Sequence, residues 1–165
     1  MPVTVLRSFV CACLLAFAPP AYAQDGTRVA FGTTAQDTTA PIEVSANELA
    51  VDQKTNTAIF TGDVLIVQGD MRLAAAKVEV IYRAETQGIS RLEATGDVTL
   101  VSGEDAAASQ YADYKVDDGV IVMTGDVLLT QGQSSLMADE MTVNLDDGTA
   151  RMMGRVKTIL QPKEE

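Results

Sequence analysis

Histidine and tryptophan are absent from this chain, and its only two cysteines, Cys11 and Cys13, stand near the N-terminus. The missing imidazoles remove the commonest proton shuttle and the commonest zinc ligand. Aromatic residues are few, four Phe and four Tyr, so the stacking surfaces on which sugar-binding sites are usually built are scarce. Long apolar runs are scarce too. The only marked one, Phe9 to Ala18, has ten residues, about half of what a helix needs to span a bilayer.

That run has another reading. Arg7 gives a positive start, Phe9–Ala18 an apolar centre and Ala21-Tyr22-Ala23 a small-x-small cleavage site, which together predict a secretory signal over residues 1–23. Val10-Cys11-Ala12-Cys13 loosely resembles a lipidation box, but too little apolar sequence precedes either cysteine and a full Ala-x-Ala site follows both, so lipidation is rejected. Cleavage after Ala23 leaves 142 of the 165 residues, enough for one domain with a real core. Both cysteines leave with the signal, and the exported chain then has no disulfide, thiol nucleophile or thiolate ligand in an oxidising compartment. Arg7 is the one charge removed, which takes the net charge from −11 to −12. So acidic a domain repels nucleic-acid phosphates and stays soluble.

Residues 24–41, rich in Thr, Gln, Asp, Ala and Gly without periodicity, read as a flexible leader, and 161–165 as a loose tail. Between them lies a repeat. Thr61-Gly62-Asp63-Val64, Thr95-Gly96-Asp97-Val98 and Thr124-Gly125-Asp126-Val127 are one tetrapeptide, and Met153-Gly154-Arg155-Val156 is a degenerate fourth copy. The glycines are 34, 29 and 29 residues apart, with fainter Ala-headed arms between them at Ala46, Ala76, Ala112 and Ala138. At offsets of two and four from each glycine, fifteen of sixteen residues are apolar; at offsets of one and three, only five are. That contrast is the signature of strands with one dry face and one wetter face. On this count the glycines fall on the dry face, inside, either where each strand turns a corner or where crowding is relieved.

Gln68-Gly69-Asp70, Asp117-Asp118-Gly119, Gln131-Gly132-Gln133 and Asp146-Asp147-Gly148 are hairpin signals. About eight or nine antiparallel strands therefore meander from roughly Ile42 to Leu160, and a closed barrel, a jelly roll or a twisted two-sheet roll would all fit.

Three features could carry chemistry. The Asp-Asp pairs could serve a carboxylate-only glycosidase or hold calcium, but each precedes Gly in a turn, where Asp stabilises the turn itself, and neither fits a calcium loop. Asp63, Asp97 and Asp126 could form a carboxylate ladder, but they fall on the wet face and the fourth copy substitutes Arg155, a cation no metal or catalytic ladder would want. The third feature is the dry face itself, aliphatic and Met-bearing (Met123, Met141, Met152), with Phe60 and Tyr82 its likeliest aromatics: either an ordinary packed core or an adaptable lining for acyl chains.

The run Asn56 to Leu73, with its Thr-Gly-Asp-Val and Gln-Gly elements, together with the Ala-headed arms and the export signal, resembles the LptA/OstA-like domain of lipopolysaccharide transport over Ile42 to Leu160. The resemblance implies an all-β, antiparallel, slightly twisted open β-jelly roll over 42–160, built from internal strand-pair repeats. It implies a periplasmic carrier without catalysis, cofactor or metal, which shelters lipopolysaccharide acyl chains between an inner-membrane complex and an outer-membrane translocon. Partners would pair through sheet edges, near Ile42 to Val51 and Ala150 to Leu160, and a head-to-tail homo-oligomer is possible in that geometry. Lipid would contact Phe60, Val64, Ile66, Leu92, Val98, Leu100, Ile121, Met123, Val127 and Leu129. Arg151, Arg155 and Lys157 form a basic cluster, read either as a lipid-phosphate contact or as arm-end solvation. The anchored inner-membrane sister of the family needs a longer apolar segment, and the translocon sister a large barrel for which 165 residues leave no room. The alternative reading is an exported structural or adhesive β-sandwich with a filled core and no lipid ligand.

Overall fold

The computed structural model describes residues 26–32 and 36–160. The signal expected over residues 1–23 and the tail at 161–165 lie outside the described residues. Within them, eleven strands form one antiparallel sheet: β1 Thr27–Ala30, β2 Glu43–Ser45, β3 Glu48–Asp52, β4 Thr57–Gln68, β5 Met71–Tyr82, β6 Ile89–Ser102, β7 Asp105–Lys115, β8 Val120–Gln131, β9 Ser134–Asn144, β10 Thr149–Met153 and β11 Lys157–Ile159. The order across the sheet is β1-β10-β9-β8-β7-β6-β5-β4-β2, with β3 also on β4 and β11 also on β9. The long strands β4 to β9 follow one another as a meander, because the Gly-bearing hairpin turns between them are too short for any other connection. The acid pairs lie in the turns, Asp117-Asp118 between β7 and β8 and Asp146-Asp147 between β9 and β10: Asp147 accepts hydrogen bonds from the Thr149 amide and hydroxyl, and Asp117 pairs with Arg83.

Each Gly-Asp pair is a bend. The ladder slips between Thr61 and Val64, between Thr95 and Val98, and between Thr124 and Val127, one extra residue each time on the Gly-bearing strand. Two successive residues there take the left-handed region, Gly62 at φ 80° and Asp63 at 45°, and likewise at Gly96-Asp97, Gly125-Asp126 and Gly154-Arg155. Glycine accepts such angles at no steric cost, and Asp is among the few other residues that tolerate them. The bend also corrects the parity count. Gly96 and Gly154 are exposed and Gly62 and Gly125 half-buried, and an added Cβ would meet outward groups, Ala76 beside Gly96 and Gln110 beside Gly125. The kink turns its own apex out of the sheet, while Phe60 and Val64 on either side point inward, so a count that assumes a straight ribbon misplaces the glycine.

The acid after each glycine is solvent-exposed, and two of the three are clasped locally: Asn47 Nδ2 donates to Asp63 at 3.0 Å and Gln110 Nε2 to Asp126 at 3.1 Å, whereas Asp97 has Ala76 at its bend. In the fourth copy the clasp is reversed, Arg155 donating to Asp139 at 2.6 and 3.0 Å and holding that carboxyl below its ordinary range.

A single sheet buries one face only by folding over on itself, and the row of bends lets it do so. The inward residues of both arms join one core cluster, and Tyr114 of β7 reaches across to donate to Gln68 Oε1 of β4 at 2.7 Å. Two expectations differ from this architecture. The first and last arms, read as single strands, are each broken at the bend, giving β2 with β3 and β10 with β11. In the stretch read as a flexible leader, Thr27–Ala30 pairs with β10 and Phe31 is buried, 1 % exposed. An amphipathic period is not needed for a short edge strand that contributes one anchoring side chain.

Candidate functional site

The ten apolar residues singled out in sequence all lie on the concave face. Nine of them, Val64, Ile66, Leu92, Val98, Leu100, Ile121, Met123, Val127 and Leu129, are 0–2 % exposed, and Phe60 is half-buried. Cross-strand pairing lines them up in continuous rows. One runs Leu49–Phe60–Val78–Ala94–Ala112–Met123–Met141–Met152, from β3 at one edge to β10 at the other. Another, beyond the bend, runs Val44–Ile66–Leu73–Leu100–Ala107–Leu129–Leu136.

Three of the eight residues in the first row and three of the seven in the second come from β5, β7 and β9, and of those strands only Met141 and Tyr82 were singled out for the dry face. The signal is present but changes phase: β5 turns Met71, Leu73 and Ala75 inward before the bend, then Val78 and Val80 after it. A fixed alternation cannot follow that slip.

The face is dry along its middle and open at one end. Residues at 0 % exposure, among them Val78, Val98, Met123 and Met141, adjoin no gap large enough for water. At the β3 edge the first row emerges into solvent at Leu49, 54 % exposed, and the neighbouring row Val51–Ala58–Val80 at Val51, 65 % exposed. A cleft of about 490 Å³ opens there, lined by Val51, Asn56, Tyr82 and Gln87 among others.

Polar groups reach the face only at its rim, and they are bonded. Gln68 donates to the carbonyls of Thr38 and Ala40 and accepts from Tyr114. Ser102 accepts from Gln36 Nε2, and Ser109 donates to the Tyr111 carbonyl. Burial pushes the Tyr114 hydroxyl up to about 12, so it is a neutral donor throughout the physiological range. The charged network lies on the outer surface, where Arg91 is forked onto Asp113 at 2.6 and 2.9 Å and reaches Glu93. Among the described residues no charged group joins the buried apolar cluster, so the arrangement suits hydrocarbon and leaves a head group to the rim or to solvent.

The basic cluster does not converge. Arg155 is engaged by Asp139, Arg151 lies opposite Arg28 and Thr142, and Lys157 stands on exposed β11. Among the described residues no three of His, Cys, Asp and Glu gather as metal ligands, and no helix is long and apolar enough to cross a membrane.

The fold and face have known counterparts. The chain superposes on the crystal structure of LptH, the LptA-homologous periplasmic component of the lipopolysaccharide transport device of Pseudomonas aeruginosa. The TM-score is 0.68 at 16 % identity, covering 77 % of this chain and 99 % of that one. In sequence it is 32 % identical over 90 residues to an uncharacterised protein of Rhizobium meliloti (strain 1021), covering 50 % of this chain and 48 % of that protein. It is 31 % identical over 83 residues to the lipopolysaccharide export system protein LptA of Escherichia coli (strain K12), covering 50 % of this chain and 40 % of that protein. Each match spans less than half the length of the curated relative. Residues 43–149 match the family described as LptA/(LptD N-terminal domain) LPS transport protein. An open, bent antiparallel sheet with one dry face is thus accounted for: the chain belongs to the LptA/LptD N-terminal domain family of non-enzymatic lipopolysaccharide transport proteins.

Proposed function

We propose that this chain is a periplasmic carrier which shelters the acyl chains of lipopolysaccharide on its concave face and passes them along a bridge between the inner-membrane complex and the outer-membrane translocon. The observation that carries the reading is the unbroken apolar rows before the bends, the one from Leu49 and its neighbour Val51–Ala58–Val80–Leu92, which emerge into solvent at Leu49 and Val51. An apolar lining that reaches an open edge can be continued by the next jelly roll, and β2 and β3 there present backbone groups that a partner strand can pair. The inner-membrane and outer-membrane transport components, or a second copy arranged head to tail, would dock on such edges. Phe60, Val64, Ile66, Leu92, Val98, Leu100, Ile121, Met123, Val127 and Leu129 are the lipid-contact residues of this proposal. Export would follow from cleavage after Ala23, leaving the jelly roll at 42–160 preceded by a segment at 24–41 whose Thr27–Ala30 stretch joins the sheet.

The tightly filled middle of the face favours a second reading, a structural sandwich without a lipid ligand. Photocrosslinking in cells separates the two. A photoreactive residue in place of Val98 or Met123 should capture lipopolysaccharide, while one in place of outward Glu93 should not. Empty capture at several inward positions, with normal surface lipopolysaccharide after depletion of the chain, would sink the carrier.

A further inference from the structure

We infer that β1 and Phe31 form a releasable plug, which fills the end of the lipid face and caps the β10 edge until lipid and a partner strand displace it. The inference rests on the carrier reading and adds a regulation to it. One short segment occupies both places that a working carrier must make available. β1 lies on β10, in register from Thr27 opposite Met152 to Ala30 opposite Thr149, where an incoming strand would have to pair. Phe31 enters the same apolar cluster as the proposed lipid-contact residues and is 1 % exposed.

The attachment is of a kind that can let go. β1 has a neighbour on one side only and leaves Thr27, Arg28 and Ala30 exposed. Past it, the Phe31 amide donates to the Gly148 carbonyl at 2.9 Å, and the Gly32 amide donates to the Asp105 carboxylate at 2.8 Å. Gln131 Nε2 donates to both the Ala30 carbonyl and Asp105. These are ties to turn and strand-end groups that water can replace, so their loss strands few buried polar atoms. The opposite edge has no such cover, since Leu49 and Val51 stand open.

A reversible lock tests this. Because Phe31 and Gly148 are hydrogen-bonded, alternation makes Ala30 and Thr149 a non-hydrogen-bonded pair, the closer kind and the one suited to a disulfide. The exported chain, with Ala30→Cys, Thr149→Cys and a photocrosslinking residue in place of Val98, is mixed with purified lipopolysaccharide oxidised and then reduced. Capture should fall at least tenfold in the oxidised form and return on reduction. Equal capture in both forms would overturn the plug while leaving the carrier intact. No capture by either form or by the cysteine-free parent would remove the carrier reading, and the plug with it. Hydrogen exchange on the unaltered chain gives a check that needs no variant. The Phe31 amide should exchange at least a hundredfold faster than the amides of β7, and protection equal to theirs would make β1 a permanent part of the fold.

Discussion

At one edge of the sheet β4 is covered by β2 and β3; at the other β9 is covered by β10 and β11. Both pairs are one arm broken at a bend, with the break at residues 46–47 in the first and 154–156 in the second. The finish differs. Leu49 and Val51 begin inward rows yet lie open to solvent, whereas Ala150 and Met152 end them at 1 % and 0 % exposure, paired with Val29 and Thr27 of β1. The repeat supplies two equivalent ends, and a segment outside the repeat makes them unequal. One end is therefore open before the bend, whereas at the other β1 occupies β10 and leaves only β11 uncovered.

The sharpest test of that asymmetry uses the two ends of a single row. Met152→Ala should cost about 2–5 kcal/mol in urea unfolding, because a buried side chain is replaced by a cavity. Leu49→Ala, at the open end, should stay within about 0.5 kcal/mol. Equal costs would mean that the ends are alike.

The bends come next. An alanine Cβ at Gly154 would sit 2.5 Å from Asp139 Oδ2, at φ 73°, whereas at Gly62 it would meet the movable Asn47 amide at 2.9 Å. Gly154→Ala should cost about 2–3 kcal/mol and Gly62→Ala about 1–2, from left-handed strain plus the closer clash at the first. The reverse order would show that the capped edge is the more forgiving one.

Tyr114→Phe should cost about 1–3 kcal/mol, since Gln68 Oε1 keeps its burial and loses its donor. The pH dependence identifies the group. The folded state holds the Tyr114 proton up to about 12 against an ordinary value of 10.0, so its contribution is complete below pH 10. As pH rises from there towards 12 the unfolded chain ionises first and the contribution is lost. Melting curves taken between pH 9 and 12 should therefore fall more steeply in the parent than in the Phe variant.

The smallest effect on stability should come with a large effect on assembly. Leu49→Asp with Val51→Asp leaves an exposed surface exposed, so unfolding should shift by no more than about 0.5 kcal/mol. Head-to-tail association, followed by sedimentation, should weaken at least tenfold, because an edge cannot continue an apolar row through two carboxylates.

Much of this was legible beforehand. The alternation around Gly62, Gly96 and Gly125 identifies long strands and picks out Val98, Leu100, Ile121 and Met123 as inward, and Asp146-Asp147-Gly148 identifies a turn. The inward residues of β5, β7 and β9 were hidden by the phase slip at each bend, which is a property of paired strands and not of either strand alone. Phe31 was hidden for a different reason, standing alone in a Thr- and Ala-rich stretch with no period to announce it.

Local chemistry by itself determined the β class, the positions of the turns and the inward aliphatic set of the Gly-bearing strands, because alternation and turn residues act over a few neighbours. Only the tertiary structure decided which way each glycine apex turns, where the edge arms break, and that one end of the dry face is open while Phe31 fills the other. Those outcomes depend on pairings between residues as far apart as Ala30 and Thr149, which no local pattern encodes.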